Sequence, residues 1–201
     1  RFEIKKSHKF YKRGIDESMS IDNTTHSIFG ASKTSADILV QEYGRYFNLN
    51  TVCFRAGCLT GENHSGAKLH GFLSFLVKSI INDKKYSIFG YKGKQVRDNL
   101  HSYDVVNAFY QFIKKPLNGG KVYNIGGGKP NSCSILEAIQ FIEKISNKKS
   151  KYEILDKNRK GDHIWWITNN QKFQNDFKKW KITFSLKQSI EQMVSFEMNK
   201  K

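Results

Sequence analysis

The chain has 201 residues, 38% hydrophobic and 13% aromatic, enough to bury the core of one large domain or of part of a two-lobed protein. Its formal net charge is +16, but the lysines are scattered. Their clusters at 5–12, 148–151 and 178–181 do not alternate with aromatics as a base-stacking surface would, so no nucleic-acid partner is expected.

No apolar run reaches the roughly 18 residues a spanning helix needs, so no membrane partner is expected. The three cysteines, Cys53, Cys58 and Cys133, lack CxxC spacing and read as reduced thiols of a cytoplasmic protein. None of the six histidines is paired at ligand spacing on one helix, so no metal site is expected. The chain begins at Arg1, and its charged opening lacks the apolar core of a signal peptide; further sequence upstream is expected.

In chain order, a helix is predicted over about 31–47, with Ala36, Leu39, Val40, Tyr43 and Phe47 on one face. A β-rich run, Thr51-Val-Cys-Phe-Arg55, follows, and helix then apolar strand is half of a βαβ crossover. A second helix is predicted over 69–81, then strands near 86–89 and 96–100. Val105, Val106, Phe109, Phe112 and Ile113 mark a third helix, stopped near Pro116, and residues 122–125 form a strand running into three glycines. Ser134 with Glu137 is a capping box ahead of an Ile135, Leu136, Ile139, Ile142 stripe. Thr168 with Gln171 and Ser185 with Gln188 are weaker boxes, the last opening a helix over 186–198. Alternating helix and strand predict an α/β fold.

Four segments carry candidate chemistry. Ser27-Ile-Phe-Gly-Ala-Ser-Lys33 opens the first helix. Phe54-Arg-Ala-Gly-Cys-Leu-Thr-Gly-Glu-Asn-His64 leaves the first strand, where a ligand crevice beyond strand carboxyl ends is expected. Gly93-Lys-Gln-Val-Arg-Asp-Asn-Leu-His-Ser-Tyr-Asp104 and Asn158-Arg-Lys-Gly-Asp-His163 each carry an arginine, whose fork matches phosphate oxygens. Tyr123-Asn-Ile-Gly-Gly-Gly128 precedes a helix but has Asn131 where a GxGxxG loop needs its third glycine, so a structural turn is favoured. Cys58 reads equally as a small buried filler, and His70 as a polar surface histidine.

Together these segments resemble the extended short-chain dehydrogenase/reductase (SDR) family, and within it the CDP-paratose 2-epimerase (CDP-tyvelose epimerase) group, over about residues 14–194. The resemblance implies an α/β fold: the C-terminal part of a Rossmann-like parallel sheet over residues 1–60, then a smaller, mixed α/β substrate-binding lobe over 61–201 with some segments returning to the sheet. It implies NAD as cofactor, a CDP-sugar as substrate, and a homodimer formed through the helix carrying Lys33. The first segment corresponds to the family's Tyr-xxx-Lys, in which the lysine binds the nicotinamide ribose and tunes the tyrosine. Here the tyrosine position is Phe29, which cannot exchange a proton, so Lys33 keeps only the first role.

Cys58 falls where relatives carry a site-lining Asn, and His70 on a helix that lines the sugar nucleotide. Arg97 and Arg159 correspond to the arginines gripping the diphosphate, Asp162 to the ribose-binding Asp, and Asp98, His101 and Asp104 to structural positions. The implied reaction inverts C2 of the sugar through a 2-keto intermediate. No strand-GxxGxxG-helix occurs in this sequence, so by itself the chain is expected to bind dinucleotide poorly and to be inactive. Other nucleotide-sugar epimerases or dehydratases, and a binding-only relative, remain alternatives at this point.

Overall fold

A computed structural model describes residues 1–67, 71–159 and 161–200. Its elements are α1 (Ile28–Tyr46), β1 (Val52–Ala56), β2 (Cys58–Thr60), α2 (Phe72–Ile81), β3 (Lys85–Phe89), β4 (Val96–His101), α3 (Ser102–Lys114), β5 (Lys121–Ile125), β6 (Ser132–Ser134), α4 (Ile135–Ser146), β7 (Lys151–Leu155), β8 (Trp165–Trp166), α5 (Gln171–Asp176) and α6 (Leu186–Met198). The fold is α/β, as expected.

β1 pairs β5 in parallel, Phe54 opposite Tyr123, and β3 pairs β7 in parallel, Ser87 opposite Glu153. β4 is the hub. Its C-terminal half pairs β2 in parallel, and its N-terminal half pairs β6 antiparallel and β8 in parallel.

Two apolar clusters flank this frame. One gathers Leu73, Leu76, Val77, Ile80, Ile88, Ile142, Ile190 and Met193 from α2, β3, α4 and α6. The other gathers Leu100, Phe112, Tyr123, Ile125, Phe173, Phe177 and Trp180 around β5, α3 and α5. The capping boxes at Ser134 and Ser185 both form, which explains why α4 and α6 start where the sequence places them.

The Thr168 box does not form. α5 starts at Gln171, so Asn170 and not Thr168 precedes it, and Asn170 makes no side-chain cap because its amide is paired with the Gly126 backbone, accepting and donating at 2.9 Å. The Thr168 amide donates to Asp98 Oδ2 at 2.9 Å and the Thr168 hydroxyl accepts from Trp166 Nε1. The strands β2, β6, β7 and β8 were not predicted; they are two to five residues long and too short to show a period.

The first helix turns the face that was read as apolar outward. Leu39, Tyr43 and Phe47 are exposed, while Thr34, Asp37, Gln41 and Gly44 face the sheet. Gly44 permits this: a Cβ there would lie 2.2 Å from Thr51 Oγ1 and 2.3 Å from the Gly120 nitrogen. Asp37 then clamps helix to strand, its Oδ1 and Oδ2 accepting from Arg55 at 2.8 and 3.0 Å.

The motif after Gly93 is a structural keystone in its aspartates. Asp98 is fully buried, and its Oδ2 accepts the amides of Gly128 and Thr168, both at 2.9 Å. The three-glycine turn closes on it: a Cβ at Gly126 would sit 2.4 Å from Asp98 Oδ2, and one at Gly127 2.0 Å from the Asn99 carbonyl. The segment read as a structural turn is therefore a clasp around a buried carboxylate. Asp104 does the same for the approach to α6, accepting from the Thr183 and Phe184 amides.

Replacing Asp98 with Ala strands two buried amides. The Asp98→Ala chain is expected to lose about 3 kcal/mol of unfolding free energy in urea titration, whereas an ordinary surface aspartate loses well under 1.

Candidate active site

Two cavities meet at one wall. The first, of about 230 Å³, is lined by Phe72 at the start of α2, Tyr86, Ser87 and Phe89 of β3, Gln95 and Arg97, Ile135, and Arg159 and Asp162. The second, of about 590 Å³, is lined by residues 16–26 of the irregular N-terminal segment, by Lys33, Thr34 and Asp37 of α1, by Arg55, and by Asn124, His163 and Trp166. Cys58 and Arg97 line both.

The topology explains the convergence. β7 is tied to β3 and β8 to β4, so the loop between them, carrying Arg159 and Asp162, is anchored at both ends over Arg97. Arg97 Nη2 donates to Asp162 Oδ1 at 2.6 Å and to the His163 carbonyl, and Nη1 donates to the Val96 carbonyl at 2.8 Å. The guanidinium is thus fixed before any ligand arrives, which is the preorganisation an anion site requires. Cations outnumber carboxylates on both rims: Arg97 and Arg159 against Asp162 on the first, and Arg97, Arg55 and Lys33 against Asp16 and Asp37 on the second, with Arg97 paired to Asp162 and Arg55 to Asp37. The apolar flanks of the first cavity, Phe72, Tyr86, Phe89 and Ile135, suit the faces of a planar base. Burial pushes the Tyr86 phenol up to about 12, so it enters as a neutral hydroxyl.

Of the sequence-derived candidates, Cys58, Arg97, Arg159 and Asp162 share the first cavity, and Lys33 stands in the second. His70 lies outside the described residues. Burial pushes the Cys58 thiol up to about 12, so it is a neutral wall element and not a nucleophile. Lys33 Nζ lies 5.4 Å from the centre of the Phe29 ring, the position a phenol would occupy. Sequence reasoning missed β3 as a cavity wall, because its side chains belong to no motif. It also missed the Asp37–Arg55 clamp and His163. Among the described residues no cluster of histidine, cysteine and carboxylate could hold a metal.

The profile of the NAD dependent epimerase/dehydratase family matches residues 7–126. The chain belongs to this family. The CDP-paratose 2-epimerase of Salmonella typhi is 30% identical over 186 residues, covering 90% of this chain and 54% of that protein. The crystal structure of UDP-glucuronic acid 4-epimerase from Bacillus cereus, in complex with UDP-glucuronic acid and NAD, superposes with a TM-score of 0.72 at 27% identity, over 84% of this chain and 52% of that one. The dTDP-glucose 4,6-dehydratase of Bacillus anthracis, in complex with NAD, shares the fold at a TM-score of 0.79 and 24% identity, over 98% of this chain and 58% of that one. The chain thus spans about half the length of the curated relatives it matches. Among the described residues no helix is long and apolar enough to cross a membrane.

The Asp37–Arg55 clamp has a pH signature. Burial alone would raise the Asp37 carboxyl, but the Arg55 fork outweighs it and holds the group below its usual 3.8. A carboxyl depressed on folding stabilises the fold above its unfolded pKa and loses that contribution as pH falls through the folded one. The unfolding free energy of the wild type should exceed that of Asp37→Asn by about 2 kcal/mol at neutral pH. In acid-titrated melts that difference should persist down to pH 3.8 and vanish only below it.

Proposed function

We propose that this chain forms the nucleotide-sugar-binding part of an NAD-dependent epimerase of the CDP-paratose 2-epimerase type, which inverts C2 of the sugar through a transient 2-keto intermediate. The observation that carries this reading is the shared wall. A diphosphate held at Arg97 and Arg159 would lay its nucleoside in the 230 Å³ cavity and its sugar in the 590 Å³ cavity that holds Lys33. The choice of a CDP-sugar rests on the resemblance to the Salmonella typhi enzyme.

Residues present in the chain fit the nicotinamide end of a dinucleotide. Lys33 offers an ammonium to the nicotinamide ribose from the wall of the larger cavity. The glycine-rich turn that would hold the dinucleotide pyrophosphate is not among the 201 residues. When bound, NAD supplies a hydride acceptor that becomes the donor in the return step. The protein's part is to anchor and to exclude water. Arg97 and Arg159 grip the diphosphate by paired, charge-assisted hydrogen bonds, so the sugar can turn over while its handle stays fixed. Asp162, already fixed by Arg97, is the ribose partner, and Cys58 packs between the two halves of the ligand.

Phe29 favours one second reading, a relative that binds the nucleotide sugar without turning it over, since the residue beside Lys33 cannot move a proton. The exposed Leu39, Tyr43 and Phe47 of α1 support association of two copies through that helix.

Two measurements test the proposal. Arg97→Ala should weaken CDP binding about 100-fold in calorimetry, the worth of a charge-assisted pair. In a longer chain that also carries the glycine-rich dinucleotide turn, loaded with NAD, the C2 proton of CDP-paratose followed by NMR should acquire the tyvelose configuration. Unchanged CDP affinity in Arg97→Ala would refute the assignment of the anion site. Tight binding with no change at C2 would favour the binding-only reading.

A further inference from the structure

The larger cavity needs a group that takes the hydroxyl proton of the sugar, and Phe29 is not one. Six titratable side chains line it that could in principle serve: Asp16, His26, Lys33, Asp37, Cys58 and His163. Five are otherwise committed. Asp37 is saturated by Arg55 and by Gln41, which donates to its Oδ1 at 2.6 Å. Cys58 is a neutral thiol. Lys33 is a cation whose amine lies against the Phe29 ring. Asp16 turns back on its own loop, where Oδ1 accepts the Ser18 amide at 3.0 Å. His26 Nε2 lies 2.6 Å from the Ile21 carbonyl, which ties the ring to its own N-terminal segment.

His163 differs from all of these. Its ring makes no hydrogen bond among the described residues, and it is held by contact with Trp166, whose ring centre is 4.9 Å away. Its backbone carbonyl accepts from Arg97, so the residue is fixed to the guanidinium assigned to the diphosphate, on the side of the cavity that holds Lys33. Arg97, Lys33 and His163 all line the larger cavity, so a sugar held there shares it with this imidazole.

We propose that His163 is the acid–base residue of the site, standing in for the absent phenol. This rests on the nucleotide-sugar epimerase reading above. In the forward step the sugar O–H bond breaks and its proton passes to an imidazole nitrogen. With a nicotinamide bound, the carbon's C–H pair would leave as hydride to it and the C–O bond would become a carbonyl; on return of that hydride to the other face, the His163 imidazolium would give its proton back to the oxygen, so atoms and charge balance over the cycle. The His163 side chain is partly open to solvent, and its remaining desolvation, then the charge of Arg97, lower its pKa from the ordinary 6.5 against a smaller opposing effect of Asp162, which disfavours the charged form of the resting ring.

The test has a binding arm and a turnover arm. In the wild-type chain, the His163 imidazole NMR signals should move on adding a CDP-hexose but stay in place with CDP, because only the sugar reaches the larger cavity. In a longer chain that also carries the glycine-rich dinucleotide turn, loaded with NAD, His163→Gln should bind the CDP-hexose within about twofold of wild type, yet lose on the order of 100-fold in kcat together with the acid limb of the pH profile. Equal shifts with CDP alone, or wild-type turnover in His163→Gln, would overturn the assignment. If CDP binding still depends on Arg97 in that case, the epimerase reading stands and only the role of His163 falls. If neither CDP nor the CDP-hexose binds, both fall together.

Discussion

The structure depends on how one short strand divides its side chains. Neighbouring residues of β4 point to opposite faces, so Arg97 and Asp98 serve different ends. Asp98 is driven inward, where two amides bond its Oδ2 and a glycine clasp closes on it, while Oδ1 has no partner and burial raises the carboxyl above its usual range. Arg97 is driven toward the cavities, where Asp162 and two carbonyls hold its fork. The buried carboxylate sets the position of the strand, and the strand sets the position of the cation. An anion site built in this way needs little rearrangement to receive a diphosphate.

Pattern and caps made the helices legible in the sequence. Ser134 with Glu137 and Ser185 with Gln188 place two helix starts, and both boxes form. Thr168 with Gln171 has the same spelling and fails, because α5 starts at Gln171 and not after Thr168, whose amide donates to the buried Asp98. The stripe of α1 was legible as a stripe, but periodicity cannot say which side a sheet will cover. That was decided by Gly44, the residue that lets the backbones touch. The motif arginines were legible because a fork for phosphate has a recognisable setting. Tyr86, Ser87 and Phe89 were not, since they become a wall only when β3 pairs with β7, 66 residues away at Ser87–Glu153.

Phe29 and His163 belong to one argument. Losing a phenol beside Lys33 removes the ordinary proton carrier, and a lone sequence cannot say what replaces it. His163 ends the Asn158–His163 segment in the sequence, where only the arginine and the aspartate were given a role. Only the closure of the 156–164 loop onto β4, through the β8 pairing, brings it to the cavity that holds Lys33. On the reading proposed above, the residues on either side of the 2.6 Å Arg97–Asp162 bond would serve both the diphosphate and the sugar.

The central claim is that one ligand occupies both cavities and crosses between them at Arg97. Intermolecular NOEs to a bound CDP-hexose test it most directly. The account predicts contacts from the cytosine protons to the Tyr86 and Phe89 rings, and from the hexose protons to the Trp166 ring. Cytosine contacts to Trp166, or a ligand whose two ends both touch β3, would contradict it.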